Sequence, residues 1–182
     1  MKPWRVRGSR RVYDGSPHVA VDIHKVELPD GRVIDDFHRV IVPDFAIMVV
    51  VTAEDELLFL RQYKHGLEEV SLTLPAGHID AGEAPADAAR RELLEETGHV
   101  ADNWRTLGAF VVNGNQRCGT AHVFAATGAK AVQAPDPGDL EEMEMVRLDR
   151  TAAFAALRGG DIAILPHAAA LSLYFNMVQE GS

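Results

Sequence analysis

Cysteine is nearly absent from this chain. Cys118 stands alone among 182 residues, so no disulfide can form within it. A lone thiol fits a reducing compartment, and a cytoplasmic location is the expectation. Basic residues are scarce as well: 18 Lys and Arg against 27 Asp and Glu give a formal net charge of −9. Bare nucleic acid and anionic membrane surfaces are bound through basic patches, so neither is expected as a partner. An anionic substrate would need a cation, or a local group of arginines, to offset the repulsion. Long apolar runs are missing too. The longest, Phe45 to Val51, is far too short to span a bilayer and reads as a buried strand. Met1-Lys-Pro-Trp-Arg lacks the apolar run of a signal peptide, and no repeat or low-complexity segment stands out.

What remains is the composition of a globular protein, with 47% hydrophobic and 25% charged residues. A chain of this length buries roughly 70% of its unfolded surface, enough for one domain with a small appendage. Residues 1–42 read as short strands joined by turns. Val19 to Leu28 alternates apolar and polar residues with a shift of phase before Val26, and Pro29-Asp30-Gly31 turns it into Arg32 to Val42. Phe45 to Thr52 and Leu57 to Gln62 read as paired strands around a turn at Glu54-Asp55. After Gly77 the period changes. Pro85 to Thr97 is helical, with Ala86, Ala89 and Leu93 on one face, Pro85 in its first turn and Gly98 just past its end. Trp104 to Val112, Thr120 to Ala126 and Met143 to Leu148 read as strands. Asp149 to Arg158 and Pro166 to Val178 read as helices, the first capped by Asp149 or Thr151. Strands that occur both as hairpins and between helices predict an α/β fold, a mixed sheet covered by helices.

The helix at 85–97 carries Glu92, Glu95 and Glu96. At about 100° per residue, Glu92 and Glu96 share a side and Glu95 sits at its margin. Like charges at this spacing repel, and carboxylates at a helix C-terminus oppose the macrodipole. Either this face is exposed and simply solvated, or a bound cation neutralises it. A hard cation taking oxygen ligands, such as Mg²⁺, suits three carboxylates.

The wider spacing bears on that choice. Five residues separate Gly77 from Glu83, and seven more precede Arg91-Glu92-Leu93-Leu94-Glu95-Glu96-Thr97-Gly98. This pattern resembles the signature of the Nudix hydrolases. It departs only at its last position, where His99 replaces a bulky aliphatic residue. The resemblance implies a Nudix-type α/β/α sandwich with a mixed sheet over residues 43–182, plus a small N-terminal antiparallel β segment over 1–42. It implies that Glu92, Glu95 and Glu96 bind Mg²⁺, with Mn²⁺ as a possible substitute, and that the backbone carbonyl of Ala76 or Gly77 adds a ligand. Arg91 would pair with Glu95 and orient it. Glu83 would tie the loop to the helix, Gly77 would let the backbone approach the metal, and Gly98 would end the helix.

Arg61-Gln62-Tyr63-Lys64, Leu74-Pro75-Ala76-Gly77 and Gly160-Asp161-Ile162 resemble the branch that cleaves ADP-ribose and other nucleoside-diphosphate sugars. That branch implies a small-molecule nucleotide substrate and a homodimer built on the N-terminal strands. A proline common in the branch beyond the signature is missing from Val111-Val112-Asn113-Gly114-Asn115. By the same resemblance, a late acidic loop supplies the group that takes a proton from water. Glu141 and Glu142 are the first candidates, Asp139 and Glu144 stand behind them, and Glu95 is carried as a catalytic candidate as well as a ligand. Arg61 and Arg117 are candidate substrate contacts, since a guanidinium matches phosphate geometry. Trp4, Phe37 and Phe110 are able to stack on an adenine, although packing is their simpler role. His78 and Cys118 are given no function. The alternatives are a (d)NTP or CoA pyrophosphatase on the same fold and a non-catalytic nucleotide sensor.

Overall fold

A computed structural model of the chain describes residues 1–136, 138 and 142–180. The chain divides into two compact units. The first comprises residues 1–44 and 111–120, and the second comprises 45–110 and 121–182.

In the first unit, β1 (Arg5–Gly15), β2 (Val19–Glu27) and β3 (Val33–Ile41) form an antiparallel meander. The phase shift read in β2 is a β-bulge, with the register against β3 slipping between His24 and Val26. Trp4 and Phe37 pack edge-on at 5.8 Å, so their rings are engaged with each other. The segment 111–120 joins this unit through a parallel bridge from Arg117 to Val40 and a bond from the Thr120 N–H to the Asp44 carboxylate at 2.8 Å.

The second unit holds β4 (Phe45–Thr52), β5 (Leu57–Lys64), β6 (Glu69–Thr73), β7 (Ala76–His78), α1 (Pro85–Thr97), β8 (His99–Val100), most of β9 (Asn103–Asn113) and β10 (Arg117–Ala131), then β11 (Met143–Leu148), α2 (Arg150–Gly159) and α3 (Leu165–Glu180). Its sheet runs β10-β4-β5-β11, with β10 parallel to β4 and the other two pairings antiparallel. The apolar run of β4 is buried on both faces, which is why it shows no alternation. Ile47, Val49 and Val51 face Ala153, Ala156, Ala170, Leu171 and Tyr174 of α2 and α3. Ala46, Met48 and Val50 face Ala89 and Leu93 of α1 on the other side. The unit is therefore an α/β/α sandwich with a mixed sheet, as expected. No helix among the described residues is long and apolar enough to cross a membrane.

Local chemistry fixes the helix ends. Pro85 opens α1 at a position whose N–H has no helical partner anyway. Gly98 closes it in the left-handed region at φ 69°, where an added Cβ would stand 2.1 Å from the Gln133 carbonyl oxygen. The Asp149 carboxylate caps α2 by accepting from the Ala152 N–H at 2.7 Å.

Candidate active site

The glutamates of α1 are not the exposed face that helical spacing alone suggests. The segment Leu74 to His78 lies over them. Glu96 is buried, and its carboxylate accepts from the Ala76 N–H at 2.8 Å. Gly77 passes so close to Glu92 that a Cβ there would stand 1.9 Å from the Glu92 carboxyl carbon, so a side chain at this position would displace the carboxylate. The Pro75 carbonyl accepts from the Met48 N–H at 3.0 Å, which seats the crossing chain on the sheet.

Arg91 organises the outer half of the cluster. Its Nε and Nη2 grip both oxygens of Glu83 at 3.0 and 2.9 Å. Nη1 donates to Glu92 at 2.7 Å and to Glu95 at 2.9 Å, and Nη2 also donates to the His78 carbonyl at 2.9 Å. All five guanidinium N–H groups are thereby used. The Glu95 contact is the pairing one turn along the helix that spacing predicts. Glu83 also accepts from the Asp80 N–H at 3.0 Å, closing the loop onto the helix. The bidentate Arg91 contact, aided by this N–H, holds the Glu83 carboxyl down at about 2. Arg91 is pushed above its ordinary value by Glu83 first, then by Glu92 and Glu95.

Among the described residues, no three acidic, His or Cys side chains converge closely enough to form a ready cation cage. Glu92 and Glu95 are turned onto Arg91 instead. The donor set nonetheless fits a hard cation. Three carboxylates on one helix end and the backbone carbonyls of Ala76 and Gly77 offer oxygen donors, and Gly77 leaves no side chain in the way.

The acidic loop begins at this same helix end. The Asp136 N–H donates to the Glu95 carbonyl at 2.8 Å and the Val132 N–H to the Gly98 carbonyl at 2.9 Å. Glu141 and Asp139 lie outside the described residues. Glu142 and Glu144 are exposed and line a cavity of about 550 Å³ with Arg61, Gln62, Tyr63, Val70 and Met143. Arg61 pairs with Glu144 at 3.2 Å across β5 and β11, so the structure brings the candidate phosphate contact together with two of the loop acids. Arg117 belongs to the first unit, where its guanidinium reaches the Thr120 hydroxyl at 3.5 Å.

Two histidines gain structural roles that the sequence did not assign. His99, the departure from the signature, is buried, and its Nδ1 meets the Thr97 carbonyl at 2.7 Å, so that nitrogen carries the proton. His167 in the first turn of α3 is buried and accepts from the Leu74 N–H at 3.1 Å through its Nδ1. Burial first, then the Lys64 charge, pushes its pKa down to about 4. A lone histidine in an apolar helix carries no spacing signal, so only the tertiary structure reveals this contact.

Two family models match the chain. Residues 42–167 match the NUDIX domain family, and residues 4–40 match the nucleoside diphosphate sugar hydrolase N-terminal domain. A CMP-5'-(N-acetyl-N-hydroxy-3-aminopropyl)phosphonate hydrolase of Streptomyces rubellomurinus is 32% identical over 150 residues, covering 82% of this chain and 72% of the relative. The ADP-ribose pyrophosphatase of Bacillus subtilis is 31% identical over 128 residues, covering 69% and 66%. A crystal structure of an ADP compounds hydrolase superposes with a TM-score of 0.85 at 21% identity, covering 100% of this chain and 97% of that one, which shows a shared fold. The family match spans most of the chain and includes the whole Arg91-centred glutamate site, and the chain accordingly belongs to the Nudix hydrolases.

Proposed function

We propose that this chain hydrolyses the pyrophosphate linkage of ADP-ribose or a related nucleoside-diphosphate sugar, giving a nucleoside monophosphate and a sugar phosphate. The observation that carries the reading is the oxygen-rich end of α1, where Glu92, Glu95 and Glu96 gather beside the Ala76–Gly77 backbone. Nudix hydrolases generally use divalent metal ions, and here Mg²⁺ is the proposed ion, with Mn²⁺ able to replace it. Glu92, Glu95, Glu96 and the Ala76 carbonyl would hold it, and when bound it supplies charge neutralisation on phosphate oxygens and a more acidic water.

The chain's own residues do the rest. Arg91 orients Glu92 and Glu95, and Glu83 fixes Arg91. Arg61 meets a phosphate at the mouth of the cavity it shares with Glu142 and Glu144. A carboxylate of the 136–144 loop, with Glu141 and Glu142 first, accepts the proton of the attacking water. Arg117 is a second proposed substrate contact. The N-terminal strands, residues 1–42, are proposed to serve dimerisation and substrate binding, and the protein to work in the cytoplasm. The similarity to enzymes named for ADP-ribose supports the sugar nucleotide. The Streptomyces relative, named for a CMP-linked phosphonate, favours a second reading in which the base is cytosine.

The test is a Mg²⁺-supplemented panel of ADP-ribose, ADP- and UDP-sugars, CMP-linked phosphonates, NTPs and CoA, read by release of a monophosphate. ADP-ribose or a nucleotide sugar should be turned over fastest. Turnover of none rejects the enzymatic reading. Glu96→Gln should remove the activity while the protein stays folded, because the amide oxygen can still accept from Ala76. An undiminished rate rejects Glu96 as a ligand.

A further inference from the structure

The segment Leu74–Ala76 leads from β6 into β7, which pairs with β4, and the N–H groups of Leu74 and Ala76 are met by side chains. β6 ends at Thr73 and β7 starts at Ala76. Leu74 is 1% exposed, so its N–H is cut off from water. Pro75 has no N–H. The donors of this stretch therefore go to side chains from two different helices. The Leu74 N–H goes to His167 of α3, and the Ala76 N–H goes to Glu96 of α1.

We infer that His167 is a positioning residue for the metal-binding segment: from α3 its Nδ1 holds the Leu74 N–H and so sets where the Ala76 carbonyl and Gly77 stand against Glu92 and Glu96. The inference rests on the metal role proposed above for Ala76 and Glu96. The chain leading to α3 adds to the same brace. The Asp161 carbonyl accepts from the Leu72 N–H and the Ser71 hydroxyl, both at 3.0 Å, and the Ser71 oxygen accepts from the Ala163 N–H at 3.2 Å. β6 is thus fixed at Ser71 and Leu72 by the turn before α3, and the next free donor, Leu74, by α3 itself. Two residues of extended chain span at most about 7 Å, so a shift at Leu74 reaches the Ala76 carbonyl with little room to decay. Without His167 the segment is held by Glu96, the carboxylate that the metal also needs, and by the pairing of Ala76–His78 with β4.

Accepting at Nδ1 requires the neutral ring with its proton on Nε2. Proton–nitrogen correlation spectra of the wild-type imidazole at neutral pH should show a bare Nδ1, and a proton on Nδ1 overturns the inference without any variant. Two substitutions then separate positioning from packing. His167→Leu keeps bulk and removes the acceptor, whereas His167→Asn places an oxygen where Nδ1 stands. For His167→Leu the Mg²⁺ concentration giving half-maximal rate should rise about tenfold or more, as for other groups that orient metal ligands, with kcat at saturating Mg²⁺ changed less. In the metal-free protein the Leu74 and Ala76 amides should exchange faster than in wild type. His167→Asn should restore both readouts. If Asn is as impaired as Leu, or if Leu leaves Mg²⁺ dependence and exchange unchanged, the inference is wrong. Glu96→Gln tests the underlying metal role separately, since it should lose Mn²⁺ binding by calorimetry whatever His167 does.

Discussion

Gly77→Ala should injure activity far more than stability. The added Cβ would stand 1.9 Å from the Glu92 carboxyl carbon and 2.1–2.2 Å from its oxygens. Carbon atoms in contact sit about 3.5 Å apart, so the carboxylate has to withdraw by roughly 1.5 Å. Glu92 can do so by turning its flexible side chain, at the expense of its 2.7 Å bond from Arg91. Overpacking of this kind costs about 1–3 kcal/mol. With Glu92 in its proposed ligand role, a displacement of an ångström or more reduces turnover about 100-fold, or about 2.7 kcal/mol of transition-state stabilisation. Steady-state kinetics at saturating Mg²⁺ and denaturant unfolding measure the two effects separately. A double-mutant cycle isolates the cause. In a Glu92→Ala background the obstructing atoms are gone, so Gly77→Ala should cost almost no stability there. Equal costs in both backgrounds, or a Gly77→Ala enzyme within about threefold of wild type, would refute the steric argument.

Two further outcomes follow from the charges. Glu83→Gln should reduce activity about tenfold by freeing Arg91 from the loop, as loss of a ligand-orienting group does. It should also abolish a pH effect. Because Glu83 is held at about 2 instead of 4.5, its contribution to stability is complete above pH 4.5 and disappears as the pH falls toward 2, so the difference between wild type and variant should vanish there. His167 acts in the same direction over a higher range. Its pKa is pushed from 6.5 to about 4, so the unfolded chain takes up the proton first, and stability should fall by roughly 3 kcal/mol between pH 6.5 and 4 and level off below. His167→Asn should lack that slope in denaturant unfolding at pH 7, 5.5 and 4, and parallel curves for the two proteins contradict it.

Much of the fold was legible because local rules and tertiary packing agree. Pro85 and Gly98 bracket α1 at the residues the sequence indicates, and β4 runs over Phe45–Thr52 as read. The phase shift near Val26 became a bulge. β6 and β7 went unread for a physical reason. β7 has three residues, and β6 opens with the exposed Glu69 and Val70, so neither shows a period. The assignment of residues 111–120 to the first unit depends on contacts with Val40 and Asp44, which no local pattern announces.

The site was legible in its members and not in its environment. Spacing located Glu92, Glu95, Glu96, Glu83 and Arg91, but nothing local shows that Leu74–His78 lies over them. That cover changes the electrostatic argument. On an open helix face, repulsion among glutamates is small and water screens it. Here Glu96 is 7% exposed, and burial penalises its charge unless partners offset the cost. The Ala76 N–H offsets part of it. Farther out, Glu83, Glu92 and Glu95 share the Arg91 guanidinium, which gathers their negative charges within a few ångströms. Negative charges gathered this closely repel one another, and a dry setting screens them less than water does. A divalent cation with oxygen ligands offsets that repulsion. On this ground the covered glutamates favour a metal more strongly than the same residues on an exposed helix face.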